Sequence, residues 1–346
     1  MNGLRSVGVR AALASALLFG AGTPLAKLLL GDVSPWLLAG LLYLGSGVGL
    51  GVYRLVTRAS RVRLDADARL PLAGAVAFGG VLGPVLLMVG LVGLPASAAS
   101  LLLNAEGVFT AVLAWVVFRE NVDRRVALGM LAIVAGAMVL SVPSGIELGS
   151  PWASLAVLGA CLCWGIDNNL TRAVSHADAT WLAAVKGLVA GPVNLVIALV
   201  LGARWPGAPA VGAAMLVGLL AYGVSLTLFV VGLRQLGTAR AGAYFSVAPF
   251  FGGLLAIVLG EPVTWGLVVA ASLMALGVWL HLTERHEHPH EHYAVSHEHA
   301  HVHDEHHAHD HDHPVAPGVR HSHAHDHEAL AHVHEHYPDS HHRHDH

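Results

Sequence analysis

"VVFRENVDRRVALGMLAIVAGAMVL" (residues 116–140) returns in altered form as "IVLGEPVTWGLVVAASLMALGVWLH" (257–281), 141 positions downstream. Glu120 falls on Glu261 and Gly136 on Gly277. In both copies a short link carrying a glutamate joins the end of one apolar run to the start of the next. A second pairing, "LFGAGTPLAK" (18–27) with "CWGIDNNLTR" (163–172) at an offset of 145, sets Gly20 on Gly165 and Lys27 on Arg172. Internal repetition decides an architecture before any residue-level reading does. Glutamates and glycines that coincide at one offset argue against chance alignment of greasy sequence, and the chain reads as two related halves.

Composition says what solvent those halves meet. The 346 residues are 55% hydrophobic and 12% charged, with a mean hydropathy of +0.60. Soluble domains carry about 25% charged residues, so the deficit points to a bilayer. A transmembrane helix needs about 20 mainly apolar residues. Ten runs qualify: about 9–30, 36–56, 71–91, 97–118, 125–142, 152–171, 180–202, 210–232, 239–259 and 264–282. The first follows Arg5 and Arg10 but runs on into Lys27 without a small-residue cleavage site, so it reads as a span rather than a secretory leader.

Lys and Arg placement orients the spans. With the N-terminus inside, the inner segments hold Arg5, Arg10, Arg54, Arg58, Arg61, Arg63, Arg69, Arg119, Arg124, Arg125, Arg172, Arg234, Arg240 and Arg285, against Arg204 alone outside. Both chain ends are therefore expected in the cytoplasm. The expected fold is an all-α integral membrane protein of ten transmembrane helices in two five-helix repeats, 1–143 and 144–285. Five is odd, so the second repeat is inserted in the opposite sense, an arrangement used by secondary transporters.

Here the residues resemble a known family. "SAASLLLNAEGVFTAVLAWVVFRE" with "GMLAIVAGAMVL", and "APFFGGLLAIVLGEPVTWGLVVAASLMALGVWL" in the second half, are similar to the EamA-type transporters of the drug/metabolite transporter superfamily. The resemblance covers about 9–282. It implies a ten-helix carrier of small metabolites, often an exporter. The chain departs from the pattern at Gly107, where a proline commonly follows the helix-four glutamate, and at Leu42, where a basic residue is common.

Ionisable groups within apolar runs are costly and each calls for a role. Glu106, two residues past Asn104, sits near the middle of the fourth run. A carboxylate held away from water is readily protonated, which suits proton coupling or cation binding; a neighbouring hydroxyl or carbonyl could equally satisfy it. Asp167, Asn168 and Asn169 follow one another in the sixth run. Consecutive helical residues point about 100° apart, so this helix is either enclosed or partly unwound; a polar cavity is the expected surrounding, with a cytoplasmic mouth or a structural hydrogen-bond cluster as the alternatives. Lys186 could pair with Asp167 or snorkel to the inner interface. Glu120 and Glu261 end spans four and nine, where a carboxylate can accept the free N–H groups of the following helix; both are read as structural. Lys27 could snorkel or attract an anion. Gly45/Gly49 and Gly47/Gly51 have small-xxx-small spacing for close helix approach. Cys161 and Cys163 lie on different faces of one run and read as packed small side chains.

The last segment is a different object. Residues 286–346 hold 24 of the 26 histidines, 12 Asp and Glu and 2 Arg, whereas residues 1–285 hold 17 Lys and Arg against 11 Asp and Glu. With few apolar residues the segment is expected to be disordered. Its H-x-H runs supply candidate metal ligands: His286, His288, His290, His292, His297, His299, His301, His303, His307, His309, His311, His313, His321, His323, His325 and His327, with further runs at His332–His336 and His342–His346. Neutral imidazole suits Zn, Cu, Ni and Co, and carboxylates complete a shell.

These observations imply a secondary transporter in the cell membrane, an exporter by resemblance, whose partners are the lipid bilayer and a small solute or metal ion. No cofactor is required; a divalent transition metal (Zn, Ni, Co or Cu) is expected on the cytoplasmic tail, pointing to Ni, Co or Zn transport or to regulation by metal. An organic metabolite as cargo, with the tail as metal buffer, and a membrane metal sensor without transport are the alternatives. A homodimer is left open. No catalytic constellation or nucleotide loop is present in the sequence, so neither an enzyme nor a nucleic-acid partner is expected.

Overall fold

The computed structural model describes residues 7–60, 66–118, 124–141, 151–172, 177–236 and 244–282, the single residues 62, 64 and 174, and four strands within 286–336. The chain divides into two units, Met1–Thr283 and Glu284–His346.

Apart from short turns and links, the described residues of the first unit are helical, and the helices fall in the apolar runs. They are α1 (Val7–Leu29), α2 (Pro35–Val56), α3 (Ala66–Gly93), α4 in two pieces (Ala96–Leu102 and Ala105–Phe118), α5 (Arg124–Ser141), α6 (Pro151–Arg172) and α7 (Ala179–Val200). Then come α8 (Ala208–Gly218, continued by Leu219–Val224 and Ser225–Leu236), α9 (Ala248–Val258) and α10 (Trp265–Leu282). Among the described residues, six helices are long and apolar enough to cross a membrane, and others are shorter but apolar. Large apolar side chains such as Leu131, Trp152, Val196, Trp265 and Trp279 stand exposed on the outside. An outer surface this apolar suits hydrocarbon and not water. The unit is that of an integral membrane protein.

The packing has an internal correspondence. α2 runs along α7, α5 along α10, and the first piece of α4 along α9. α1 packs on α8 and α9, while α6 packs on α3 and α4. Exchanging each helix with the one five places along maps these contacts onto one another. The aligned glycines show why. At Gly136 an added Cβ would meet the Ala270 carbonyl at 3.0 Å, and at Gly277 it would meet the Gly129 carbonyl at 2.6 Å. Both therefore bring α5 and α10 into backbone contact, as small residues do between membrane helices. Gly45 and Gly49 lie against Met215 and Leu219 of α8, and Gly47 against Gly187 of α7. Ser15 of α1 and Ser225 of α8 donate to each other's carbonyls at 2.7 and 3.0 Å.

Two irregularities recur at matching places. α3 widens to a π-helix at Val76–Leu82, and α8 does so at Leu219–Val224. α4 breaks at Leu103–Asn104, and a turn at 246–247 precedes α9. Leu42 is 1% exposed within the main apolar cluster, alongside Leu38, Leu87 and Leu91.

Four strands are described in the second unit. His286–His292 (β1) pairs antiparallel with Leu330–His336 (β4), and Val295–His301 (β2) with His321–His327 (β3). Scarcity of apolar residues forbids a core, but it does not forbid strands whose backbone groups satisfy each other. The H-x-H alternation has the strand's period of two. The candidate ligands His303, His307, His309, His311 and His313 lie outside the described residues.

Candidate functional site

A cavity of about 280 Å³ opens among α1, α2, α4, α6, α7 and α8. Its polar wall comes from three of them. The break in α4 begins this wall: Asn104 N–H bonds back to the Leu101 carbonyl, and the second piece of the helix starts at Ala105. Glu106 therefore lies in the first turn of a helix, where unpaired N–H groups and the helix dipole favour a carboxylate. Its Oε1 accepts a hydrogen bond from Asn168 Nδ2 of α6 at 2.9 Å. The same amide lies 3.2 Å from Thr110 Oγ1, whose hydroxyl donates to the Glu106 carbonyl at 2.8 Å.

One helical position before Asn168, Asp167 Oδ1 accepts from Lys186 Nζ of α7 at 2.5 Å and from the Thr171 hydroxyl at 2.9 Å. Lys186 also donates to Thr171 Oγ1 at 3.1 Å. Both partners of the ion pair are mostly buried. Asp167 fits because residue 79, in the π-helical part of α3, is glycine: any Cβ there would overlap the Asp167 carboxylate. The widened turn also frees the Gly79 carbonyl, which accepts from Tyr43 Oη at 2.7 Å and Trp164 Nε1 at 3.1 Å. π-Helical turns are frequent at functional sites for this reason.

The facing wall is aromatic. Phe19 meets Tyr222 edge-on with centroids 5.9 Å apart and lies 5.2 Å from Phe245. Phe245 lies 4.8 Å from Phe229, and Tyr222 lies 5.7 Å from Tyr43. All five rings line the cavity, with Trp164.

Of the residues singled out in the sequence, Glu106, Asp167, Asn168 and Lys186 line the cavity together. Asn104 and Asn169 are not among its lining residues. Asn104 Nδ2 donates to the Leu101 carbonyl at 2.9 Å, and Asn169 Nδ2 donates to the Gly165 and Thr110 carbonyls at 2.8 and 3.2 Å. α6 is helical through the DNN triplet, so enclosure and not unwinding accommodates it.

Glu261 is a helix-capping residue, but for a different helix from the one expected. Gly260, at φ +106°, closes α9, with Glu261 N–H bonding to the Ala256 carbonyl. The Glu261 carboxylate then accepts from the N–H groups of Ala96 at 2.6 Å and Ser97 at 2.8 Å, at the start of α4 and not of α10. Chain order suggested the following helix; the packing of α9 on α4 supplies a nearer set of free donors. Glu120 lies outside the described residues. Lys27 donates to the Leu91 and Val92 carbonyls at the end of α3. Cys161 and Cys163 are free and buried. Among the residues whose side chains are described, no group of three or more His, Cys, Asp or Glu is placed to hold a metal ion.

Two segments of the chain, 6–142 and 151–283, each match the EamA-like transporter family. The chain belongs to this family. The two EamA matches meet near residues 142–151, close to the boundary between the aligned halves. An uncharacterized transporter of Methanothermobacter thermautotrophicus is 27% identical over 285 residues, which cover 76% of this chain and 82% of that protein. The uncharacterized transporter YyaM of Bacillus subtilis is 20% identical over 189 residues, 52% of this chain and 62% of its own. A protein of known crystal structure shares the fold, with a TM-score of 0.60 at 18% identity over 80% of this chain and 96% of that one. This EamA protein is a multi-pass membrane transporter.

Proposed function

We propose that the chain is a secondary exporter of a small organic solute, coupled to protons through Glu106. Ten spans in two five-helix halves, 1–143 and 144–285, are inserted in opposite senses, with both chain ends in the cytoplasm. The matched π-turns of α3 and α8, and the matched breaks before Ala105 and Ala248, support the two-half reading. Interrupted helices at corresponding positions of two halves mark the substrate site of such carriers. Two near-equivalent packings around one cavity then expose it to either side in turn.

One observation carries the cargo class: Glu106 and the Asp167–Lys186 pair face a wall of aromatic rings across one cavity. Among the described residues, no histidine or cysteine lines it, so its described wall offers none of the soft ligands that select transition metals. Rings offer apolar and quadrupolar surface to an organic body, and the charged wall orients its polar group. Glu106 holds a proton or a cargo charge by turns.

The test is solute flux in vesicles reconstituted with the purified protein under an imposed pH gradient, against a panel of organic ions and zwitterions. Proton-driven flux of at least one of them, absent in Glu106→Gln, is expected. A protein that moves none of them but moves Ni²⁺, Co²⁺ or Zn²⁺ overturns the reading.

A second reading is favoured by the 24 histidines of residues 286–346. The tail binds divalent metal, and metal is the cargo or the regulator. Cells lacking residues 286–346 then differ from wild type in metal content or tolerance, or vesicle transport loses its dependence on added metal.

A further inference from the structure

Most hydrogen-bond donors of the cavity wall are already engaged. Lys186 Nζ donates to Asp167 and to Thr171. The Asn168 amide donates to Glu106 and to Thr110. Tyr43 Oη and Trp164 Nε1 both turn to the Gly79 carbonyl, and the Ser225 hydroxyl turns to the Ser15 carbonyl. A cargo carboxylate or phosphate needs donors or a cation of its own. To supply one, Lys186 would have to leave Asp167 and strand a buried carboxylate, which is strongly unfavourable.

The acceptors point the other way. Among the described residues that line the cavity, the ionisable acids and bases at neutral pH are Glu106, Asp167 and Lys186. Asp167 and Lys186 neutralise each other at 2.5 Å. No ion pair is described for Glu106, whose carboxylate receives an amide N–H from Asn168. An ionised carboxylate has about four lone-pair sites, so Glu106 keeps acceptor capacity to spare. Ionised, it leaves the described wall with one negative charge in excess, and a charge held away from water calls for an opposite partner.

The rings favour the same sign. Phe19, Tyr43, Tyr222, Phe229 and Phe245 form a chain of neighbours with centroids 4.8–5.9 Å apart. A cation within about 6 Å of a ring centroid is attracted by the negative ring face, more strongly where water is excluded, and an anion is not. The volume of about 280 Å³ lies just below the about 300–1,000 Å³ of drug-sized pockets, which suits one ring with a short arm.

We propose that the cargo is an organic monocation: a protonated amine on a compact apolar body, its ammonium on Glu106 and its body among the rings. This rests on the carrier reading above and narrows its solute class. Amino-acid zwitterions and organic anions are then poor cargo. The ammonium and a proton compete for one carboxylate, so Glu106 gives up its proton as each cation arrives.

The experiment measures equilibrium binding to the purified full chain in detergent micelles, with neither a membrane nor a gradient. Three probes share a phenylethyl body: phenylethylammonium is a cation, phenylalanine a zwitterion and 3-phenylpropanoate an anion. The cation is expected to bind about tenfold or more tighter than the other two. Glu106→Gln, in the same micelles, is expected to lose that preference. Phe245→Leu keeps apolar bulk but removes a ring face, and is expected to weaken the cation by about threefold or more while changing the zwitterion less. Phenylalanine or 3-phenylpropanoate binding as tightly as the cation overturns the inference, as does a preference undiminished in Glu106→Gln, or no binding of any probe. Proton-driven flux of a zwitterion in vesicles would then leave the carrier reading standing. Conversely, a Glu106-dependent cation preference without proton-driven flux overturns the carrier reading and keeps the cation site.

Discussion

Lys186 Nζ of α7 lies 2.5 Å from Asp167 Oδ1 of α6, with the two side chains 17% and 11% exposed. Removing one partner leaves the other charge stranded in a low-dielectric wall, which costs about 3–5 kcal/mol for a buried pair. Lys186→Met is expected to lower the thermal unfolding temperature in detergent sharply. The double variant Lys186→Met with Asp167→Asn is expected to recover most of that loss, because no unpaired charge remains. Equal melting of the single and double variants would mean that the pair is not coupled.

That pair was half legible in the sequence. Asp167 and Lys186 stand out because an ionisable residue inside an apolar run is conspicuous, and so does Glu106. Their meeting was one of two open readings, since spacing along a chain does not fix how α6 and α7 are rotated against each other. The same uncertainty explains Asn169. Consecutive residues on a helix point in different directions, and in the DNN triplet Asp167 and Asn168 turn to the cavity while Asn169 bonds to the Gly165 carbonyl. The aromatic wall left no signal, because Phe19, Phe229 and Phe245 look like any core or lipid-facing residue in a greasy helix. The π-turns were invisible too, since Gly79 is one glycine among 39. The repeat was the most legible feature, and the helices fall where the apolar runs predict them. What chain order obscured was partnership: Glu261 caps α4 across the halves.

The proposed proton coupling rests on Glu106. Glu106→Gln keeps the shape and an acceptor for the Asn168 amide but cannot exchange a proton. The expected outcome is a folded protein with an unchanged elution profile, whose solute flux no longer responds to an imposed pH gradient. Glu106→Asp keeps the proton but withdraws the carboxylate from Asn168, now 2.9 Å away, so reduced but still gradient-driven flux is expected. Gradient-driven flux through Glu106→Gln at the wild-type rate would remove Glu106 from the coupling scheme.

The Glu261 cap makes a stability prediction separable from transport chemistry. Its carboxylate accepts from two N–H groups at the start of α4. Loss of a capping acceptor costs about 0.5–2 kcal/mol. Glu261→Ala is expected to melt below wild type by an amount in that range, and Glu261→Gln, which keeps an acceptor without the charge, to fall between. Thermal unfolding of the three proteins in one detergent checks the order. Wild-type melting of Glu261→Ala would show that the cap contributes nothing.

Asp178 supplies a pH dependence whose sign can be worked out. It is the N-cap of α7, accepting from Trp181 N–H at 3.0 Å, and Arg54 at the end of α2 reaches it at 2.8 Å. Burial pushes the carboxyl up, but the Thr180 hydroxyl, the Trp181 N–H and the Arg54 guanidinium together outweigh it and hold Asp178 below the usual carboxylate range. A group depressed in the folded state contributes stability above its unfolded value, about 3.9, and that contribution is lost as pH falls through the lower folded value. Asp178→Asn retains a capping oxygen but not the charge, so it isolates this effect. Wild type is expected to melt above Asp178→Asn at pH 6–7, by a modest margin because the Asp178 side chain is 37% exposed and solvent screens the pair. The margin should close as pH falls below about 4. A margin that stays constant down to about pH 3 would assign the difference to packing at the α2–α7 contact instead of to charge.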